Sequence, residues 1–335
     1  MDPQFPKVNY IGNKRKIVDW IVDNFPIKEG KVLDLFAGGS SVSFELKKRN
    51  FEVTANDALY ASLVVNKALI ENKTTTLNKN DIEKALKRDT DINLREKLRW
   101  LDNNLFYETE VDELAQLVSY SKKITGYKKF VLQSLIRRAM IRKLPYSRMN
   151  IDWRNIVKLR DEEYSYKKYG RKRAYHNESF ENHILKDLDS YNEAVFDNGK
   201  NNKAIQMDGL EAIKKYGNVD LIYIDPPYPG TMNKYNEFYG TFDQIYNKNI
   251  EYTDLTSSSN FLIYLENLVE EASKKAKYLA LSLNSRSVPN INEVENLLEF
   301  YGEVTVLEKK HSYQVSGKEN KKENYEILAL VTLYK

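Results

Sequence analysis

Hydrophobic and polar positions along the first fifth of the chain alternate between two periods. KVLDLF (31–36) and FEVTAN (51–56) are short apolar-rich runs that predict strands, while SVSFELKKRN (41–50) and ALYASLVVNKALIENK (58–73) repeat their apolar residues at helical spacing. Strand and helix in alternation predict a parallel sheet with crossover helices. From about 73 to 202 the texture changes to long charged segments of helical period, such as DIEKALKRDTDINLREKLRWLDN (81–103) and YKKFVLQSLIRRAMIRKL (127–144). Alternation resumes with KAIQM (203–207), DGLEAIKKYG (208–217) and VDLIYID (219–225), then the helical NFLIYLENLVEEASKKAK (260–277) and the strand YLALSL (278–283). Two late runs, EVTVLEKK (303–310) and YEILALVTLY (325–334), predict an antiparallel edge. The expected fold is α/β: a doubly wound, mostly parallel sheet with an antiparallel C-terminal edge, built from residues 1–72 and 203–335 and interrupted by a largely helical insertion, 73–202.

Composition narrows the chemistry. A chain of 335 residues that is 41% hydrophobic can bury a sizeable core, and its net charge of +4 specifies no partner by itself. Cysteine is absent, which excludes disulfides, thiolate nucleophiles and Cys-ligated zinc, and 3 His leave little for an imidazole site, so no metal is expected. No apolar stretch approaches the roughly 20 residues that span a bilayer. The opening MDPQFPKVNY lacks the apolar segment of a signal peptide, so a cytoplasmic protein without membrane attachment is expected.

The apolar run DLIYID ends in PPYPG (residues 220–230 together). Two adjacent prolines cannot continue a hydrogen-bonded ladder, so Asp225, Pro226, Pro227 and Tyr228 lie just past a strand, at the rim where open α/β sheets bind ligands. Exocyclic amino groups of adenine and cytosine are poor nucleophiles because the lone pair is delocalised into the ring. A carboxylate at Asp225 and the carbonyl of Pro226 can each accept one amino hydrogen, localising that pair, at about 1.5–3 kcal/mol per charge-assisted bond. Tyr228 is placed to stack on a base. Upstream, VLDLFAGGSS (32–41) predicts a strand ending at Asp34, a turn at Gly38 and Gly39, and a helix start whose backbone donors face a ligand. TAND then ends the next strand at Asp57, where an acid can bind both hydroxyls of a ribose. Without a full G-x-G-x-x-G, the pair suits a nucleoside cofactor lacking phosphates, such as S-adenosylmethionine (SAM).

YIGNK (10–14), DLFAGG (34–39), ND (56–57) and DPPY (225–228), in this order, resemble the D12 class of DNA adenine N6-methyltransferases, the Dam-like family, over nearly the whole chain. LSLNSR (281–286) and KENKKENYEILAL (318–330) are similar to that family's C-terminal segments. The resemblance implies a SAM-binding catalytic domain in residues 1–72 and 203–335. Tyr10, Gly12 and Lys14 would line the cofactor pocket, Asp34 and Gly38 would sit beside its methionine part, Asp57 would hold the ribose and Asp208 the adenine amino group. Asp225 to Tyr228 would hold the target base. An acid opening the helix after Asp208 is also a plain N-cap. Ser40 stands where many family members carry another glycine.

Within the insertion, RRAMIRKLPYSRMN (137–150) and YKKYGRKRAYH (166–176) interleave cations with aromatics. Arg137, Arg138, Arg142, Lys143, Arg148, Arg171, Lys172 and Arg173 are the candidates for contact with double-stranded DNA, and the resemblance implies that the insertion recognises the target. Chemistry on a paired base requires its extrusion from the stack. Absence of cysteine excludes cytosine C5 methylation. Cytosine N4 methylation, RNA adenine methylation, a silent nucleic-acid-binding module and a metal-dependent nuclease using Asp34, Asp57 and Asp225 remain as alternatives. The expected activity is direct methyl transfer from SAM to adenine N6, in a modification enzyme paired with a separate restriction endonuclease.

Overall fold

A computed structural model describes residues 2–87, 91–170, 174–229, 234–256, 258–310 and 324–335. The chain divides into two compact units. One comprises Gly12–Ala58, Asn198–Tyr235 and Ile250–Lys335 and carries the sheet; the other comprises Met1–Ile11, Leu59–Asp197 and Asn236–Asn249 and is helical.

Among the described residues, seven strands form one sheet: β1 (Lys31–Asp34), β2 (Glu52–Asp57), β3 (Lys203–Gln206), β4 (Leu221–Ile224), β5 (Tyr278–Asn284), β6 (Gly302–Lys310) and β7 (Tyr325–Leu333). Their order is β3-β2-β1-β4-β5-β7-β6. The first five are parallel, and β7 runs antiparallel between β5 and β6. The expected sheet, mostly parallel with an antiparallel C-terminal edge, is therefore the observed one. All four residues of β4 are buried, as expected for a central parallel strand covered on both faces. Leu33, Leu35, Ile222, Ile224, Leu279 and Leu281 belong to one hydrophobic core cluster. Full burial of such side chains contributes roughly 1.5–3 kcal/mol each. Connections from β1 lead outward through β2 to β3, while β4 leads outward the other way to β5. Winding thus reverses between β1 and β4, and the carboxyl ends of these two strands flank the switch point where such sheets bind ligands.

The helical unit begins earlier than the period change at 73, because helix Tyr60–Asn66 belongs to it. Two first-turn donors of that helix, Tyr60 N and Ala61 N, bond the Asp243 carboxylate at 2.7 and 2.8 Å, a remote cap supplied by helix Tyr235–Tyr246. Helix Gly126–Lys143 is central, with Val131 through Ile141 all buried, polar Gln133 and Ser134 included. Such burial on every face explains why its amphipathic period is weak. Its last residue, Lys143, meets Glu110 Oε1 at 2.8 Å, and Arg160 clamps both Glu110 oxygens at 2.5 and 2.9 Å. Burial pushes the Glu110 carboxyl up, but Arg160 and Lys143 together hold it below the usual carboxylate range.

Among the described residues, no helix is long and apolar enough to cross a membrane. Removing the acid from the buried Lys143–Glu110–Arg160 cluster strands two cations. Glu110→Ala is expected to lower the unfolding free energy by about 3–5 kcal/mol, read as a lower urea midpoint with an unchanged slope.

Candidate active site

The sheet unit gathers three acids at the ends of neighbouring strands. Asp34 closes β1, Asp57 closes β2, and Asp225 follows β4 directly. Because β4 is apolar throughout and Pro226 and Pro227 bring no N–H, the ladder stops there and leaves Asp225 at the rim, with its side chain 19% exposed.

Lys14 holds Asp225. Its ammonium lies 3.0 Å from Asp225 Oδ1 and 2.7 Å from Glu326 Oε1, and Ser282 Oγ donates to the same Glu326 oxygen at 2.6 Å. Glu326 is fully buried and Lys14 nearly so. Burial pushes the Asp225 carboxyl up to about 6; Lys14 opposes that shift and the Glu326 charge adds to it. The neighbouring Tyr223 phenol is raised well above its ordinary value, first by burial and then by the charge of Asp225. Sequence reasoning named Lys14 and Asp225 but not their contact, and it missed Glu326 and Ser282. One signal was available: Glu326 is the one acid in the mostly apolar run YEILALVTLY.

Asp34 is 1% exposed. Its Oδ2 accepts a 2.6 Å bond from Ser43 Oγ, whereas its buried Oδ1 has no protein partner. Burial raises this carboxyl to about 7; Ser43 works against the shift, and the charges of Asp225 and Asp57 add to it. The loop after β1 is tied to the end of β2: Ala37 N donates to Asn56 O and Gly38 N to Asp57 Oδ2, both at 2.8 Å, while Asn56 Nδ2 donates to Leu35 O at 2.9 Å. Gly38 has φ 49° and Ser40 φ 70°, so the serine occupies a left-handed conformation that favours glycine. Gly12 has φ 79°, and a Cβ there would come within 2.6 Å of the Tyr235 hydroxyl oxygen.

Two expected roles meet a different environment. Asp208 caps helix Gly209–Tyr216: Oδ1 accepts from Leu210 N and the Tyr264 hydroxyl, each at 2.8 Å, and Oδ2 accepts from Thr253 N at 2.9 Å. Burial raises its carboxyl, yet these donors hold it below the usual range, the arrangement of an N-cap rather than of a waiting acceptor. Tyr228 is only 8% exposed and belongs to the hydrophobic core cluster, so its ring is packed rather than presented as an open platform. Pro226 is buried and Pro227 half-buried.

Tyr10 and the basic candidates belong to the helical unit. Tyr10 stacks on Tyr239 with centroids 4.8 Å apart, and the Arg137 guanidinium lies 5.7 and 5.0 Å from the two rings. Arg137 also donates to Val8 O at 3.1 Å, and Arg138 lies 3.1 Å from Asp187. Arg137, Arg138 and Lys143 are therefore internal, with exposures of 1%, 2% and 0%, and do not form the phosphate-facing surface read from the sequence. Helical period alone does not show which face of a central helix meets water. Arg142 and Arg148 are partly exposed. With Lys7, Asn9, Tyr146 and Ser147, Arg142 lines a basic cavity of about 280 Å³. Arg171, Lys172 and Arg173 lie outside the described residues. Among the described residues no three His, Asp or Glu side chains group as a metal site.

A doubly wound sheet with acids grouped at its switch point is consistent with an α/β enzyme of the methyltransferase type. The chain belongs to the D12 class N6 adenine-specific DNA methyltransferases, whose family pattern it matches over residues 10–310. It is 42% identical over 334 residues to "Type II methyltransferase M2.HphI" of Haemophilus parahaemolyticus, covering 98% of both chains. It is 25% identical to "Modification methylase StsI" of Streptococcus sanguinis, over 96% of this chain and 51% of that one. It is 23% identical to "Type II methyltransferase M.NlaIII" of Neisseria lactamica, over 90% of each. The chain is thus an adenine-specific DNA methyltransferase, which sets aside the RNA, cytosine, nuclease and silent-module alternatives.

The two strained positions respond differently to substitution. Ser40→Gly is expected to leave stability within about 1 kcal/mol of the parent, because relief of left-handed strain offsets the greater freedom of the unfolded chain. Gly12→Ala adds both strain and a clash with Tyr235 and is expected to cost about 1–2 kcal/mol. Thermal unfolding of both variants checks the contrast.

Proposed function

We propose that this enzyme takes its methyl group from SAM, transfers it to N6 of an adenine turned out of the DNA duplex, and serves as the modification half of a restriction-modification system with a separate endonuclease. The observation that carries this reading is the Asp225 carboxylate: half-buried, held by Lys14, at the carboxyl end of the strand that flanks the switch point.

The residues beside the switch point fit the cofactor. SAM carries an ammonium and a sulfonium, and Asp34 offers a buried oxygen without a protein partner on a carboxyl that a cation would draw back into its ionised form. The Asp57 carboxylate already bridges to Gly38 N, which orients it at the end of β2 for a ribose. When bound, SAM supplies an electrophilic methyl carbon, whose bond to sulfur breaks with its electron pair left on sulfur as the bond to N6 forms.

Asp225 and the Pro226 carbonyl each accept one amino hydrogen, so the nitrogen lone pair is no longer shared fully with the ring. Pro226 cannot engage its own nitrogen in a ladder, and the chain direction it fixes keeps that carbonyl at the rim. After transfer, N6 carries one bond too many and releases a proton to Asp225. A carboxyl near 6 passes that proton to water at neutral pH and returns to the acceptor form. Extrusion of the adenine costs a few kcal/mol, which contacts to the displaced base and to the backbone must offset. The modification role rests on the names of the relatives, two of them type II methyltransferases and one a modification methylase.

Incubation of unmethylated DNA with the protein and methyl-labelled SAM, followed by nucleoside mass spectrometry, is expected to yield N6-methyldeoxyadenosine. Asp225→Ala is expected to abolish the product while sparing most of the DNA affinity; equal loss of both would remove Asp225 from the reaction. Ionised Asp225 is the acceptor, so the rate is expected to fall as pH drops through about 6. In the helical unit, Arg142→Ala and Arg148→Ala are each expected to flatten the dependence of log Kd on log salt by about 0.9 for every phosphate no longer neutralised, and an unchanged slope would take them out of the interface.

A further inference from the structure

We infer that Glu326, on the antiparallel strand β7, is a positioning residue for methyl transfer: with Ser282 it anchors Lys14, so that the ammonium engages one oxygen of Asp225 and leaves the other for the target amino group. The inference rests on the function proposed above.

The geometry is that of a shared cation. Lys14 Nζ is nearer to Glu326, at 2.7 Å, than to Asp225, at 3.0 Å, and on Asp225 it meets Oδ1. Glu326 is buried at 0% exposure in a strand whose register opposes it to Asn284 of β5. Two residues earlier on β5, Ser282 aims its hydroxyl at the same Glu326 oxygen, at 2.6 Å. An ionised acid inside a sheet core is expensive and is retained where it is paired and hydrogen-bonded. Here both conditions hold, and the partner it fixes is the lysine that touches the reacting carboxylate.

Charge gives the arrangement a function that packing alone would not require. A Lys14–Asp225 pair by itself is neutral, and a carboxylate clasped by its own ammonium is a weaker acceptor for a neutral amino group. Addition of Glu326 makes the triad net negative, draws the ammonium away and leaves Asp225 electron-rich. Among the described residues, the titratable groups facing Asp225 are Lys14 from the N-terminal segment, Glu326 from β7, Tyr223 from β4 and Asp34 from β1. Of these, Glu326 is the one that acts on Asp225 through a cation touching both.

The test compares wild type with Glu326→Gln, Ser282→Ala and Lys14→Met, measuring turnover at saturating SAM and DNA, affinity for each, and the acid limb of the pH profile. Glu326→Gln is expected to lower turnover by about tenfold to a hundredfold with both affinities nearly unchanged. Its acid limb is expected to move to lower pH, because a charge that raises the Asp225 carboxyl is gone; in Lys14→Met the limb is expected to move to higher pH. A purely structural role for Glu326 would reduce active protein without moving the limb, and that result would overturn the inference. So would wild-type turnover in Glu326→Gln. Should that variant fail to fold, Ser282→Ala decides: a lower turnover with unchanged affinities supports the anchor, and unchanged turnover overturns it. If the wild-type protein forms no N6-methyldeoxyadenosine, the proposed function falls and the inference with it; product from wild type with an unmoved limb in Glu326→Gln defeats the inference alone.

Discussion

Removing a carboxylate from water costs several kcal/mol even after relaxation, and the sheet ends in three of them at one rim. Each is handled differently. Asp57 receives a backbone donor, Gly38 N, and Asp225 receives a lysine, whereas Asp34 receives the hydroxyl and the backbone of Ser43 and keeps one oxygen unmet. This graded compensation separates them chemically. Burial raises the Asp34 carboxyl to about 7 and the Asp225 carboxyl to about 6, which sets both apart from an ordinary surface acid. A site whose acids were all fully compensated would be more stable and would have nothing left to offer a cation or an amino group.

The helical unit faces the same cost and meets it from within. Glu110 lies between Lys143 and Arg160, Asp187 meets Arg138, and Asp243 closes the start of helix Tyr60–Asn66. Glu110 and Asp243 are matched by internal donors, which marks them as architecture, and Asp187 is held as the ion partner of Arg138. Charge density in a sequence is therefore a poor guide to surface: RRAMIRK sits on a helix buried without a break from Val131 to Ile141, where Arg137 lies against two tyrosine rings instead of facing solvent.

Legibility in the sequence followed the range of the interactions. Period, turn chemistry and the apolar runs specify each strand locally, so β1 to β5 and the antiparallel pair were readable, as were Asp34, Asp57 and Asp225 at strand ends. The resemblance implies a glycine where this chain has Ser40, and the left-handed φ of Ser40 is a conformation that favours glycine. Contacts across hundreds of residues were not. Lys14 to Glu326, Tyr60 to Asp243 and Tyr10 to Tyr239 each join segments whose local patterns are silent about one another. At Asp208 and Tyr228 a motif fixes a residue's type and neighbours in the chain but not how many donors or apolar side chains close over it.

If SAM binds at the switch point as proposed, the acids at the rim are coupled as well as compensated. The charge on Asp225 raises the Asp34 carboxyl, and the interaction is reciprocal, so ionised Asp34 also disfavours ionised Asp225. A cation bound beside the unmet oxygen of Asp34 neutralises that repulsion. Cofactor binding and ionisation of the acceptor then favour each other, and the carboxylate that must accept an amino hydrogen is most completely ionised when a methyl donor is present. On that reading, the oxygen of Asp34 left without a partner would be the feature through which occupancy of one half of the site reaches the chemistry of the other.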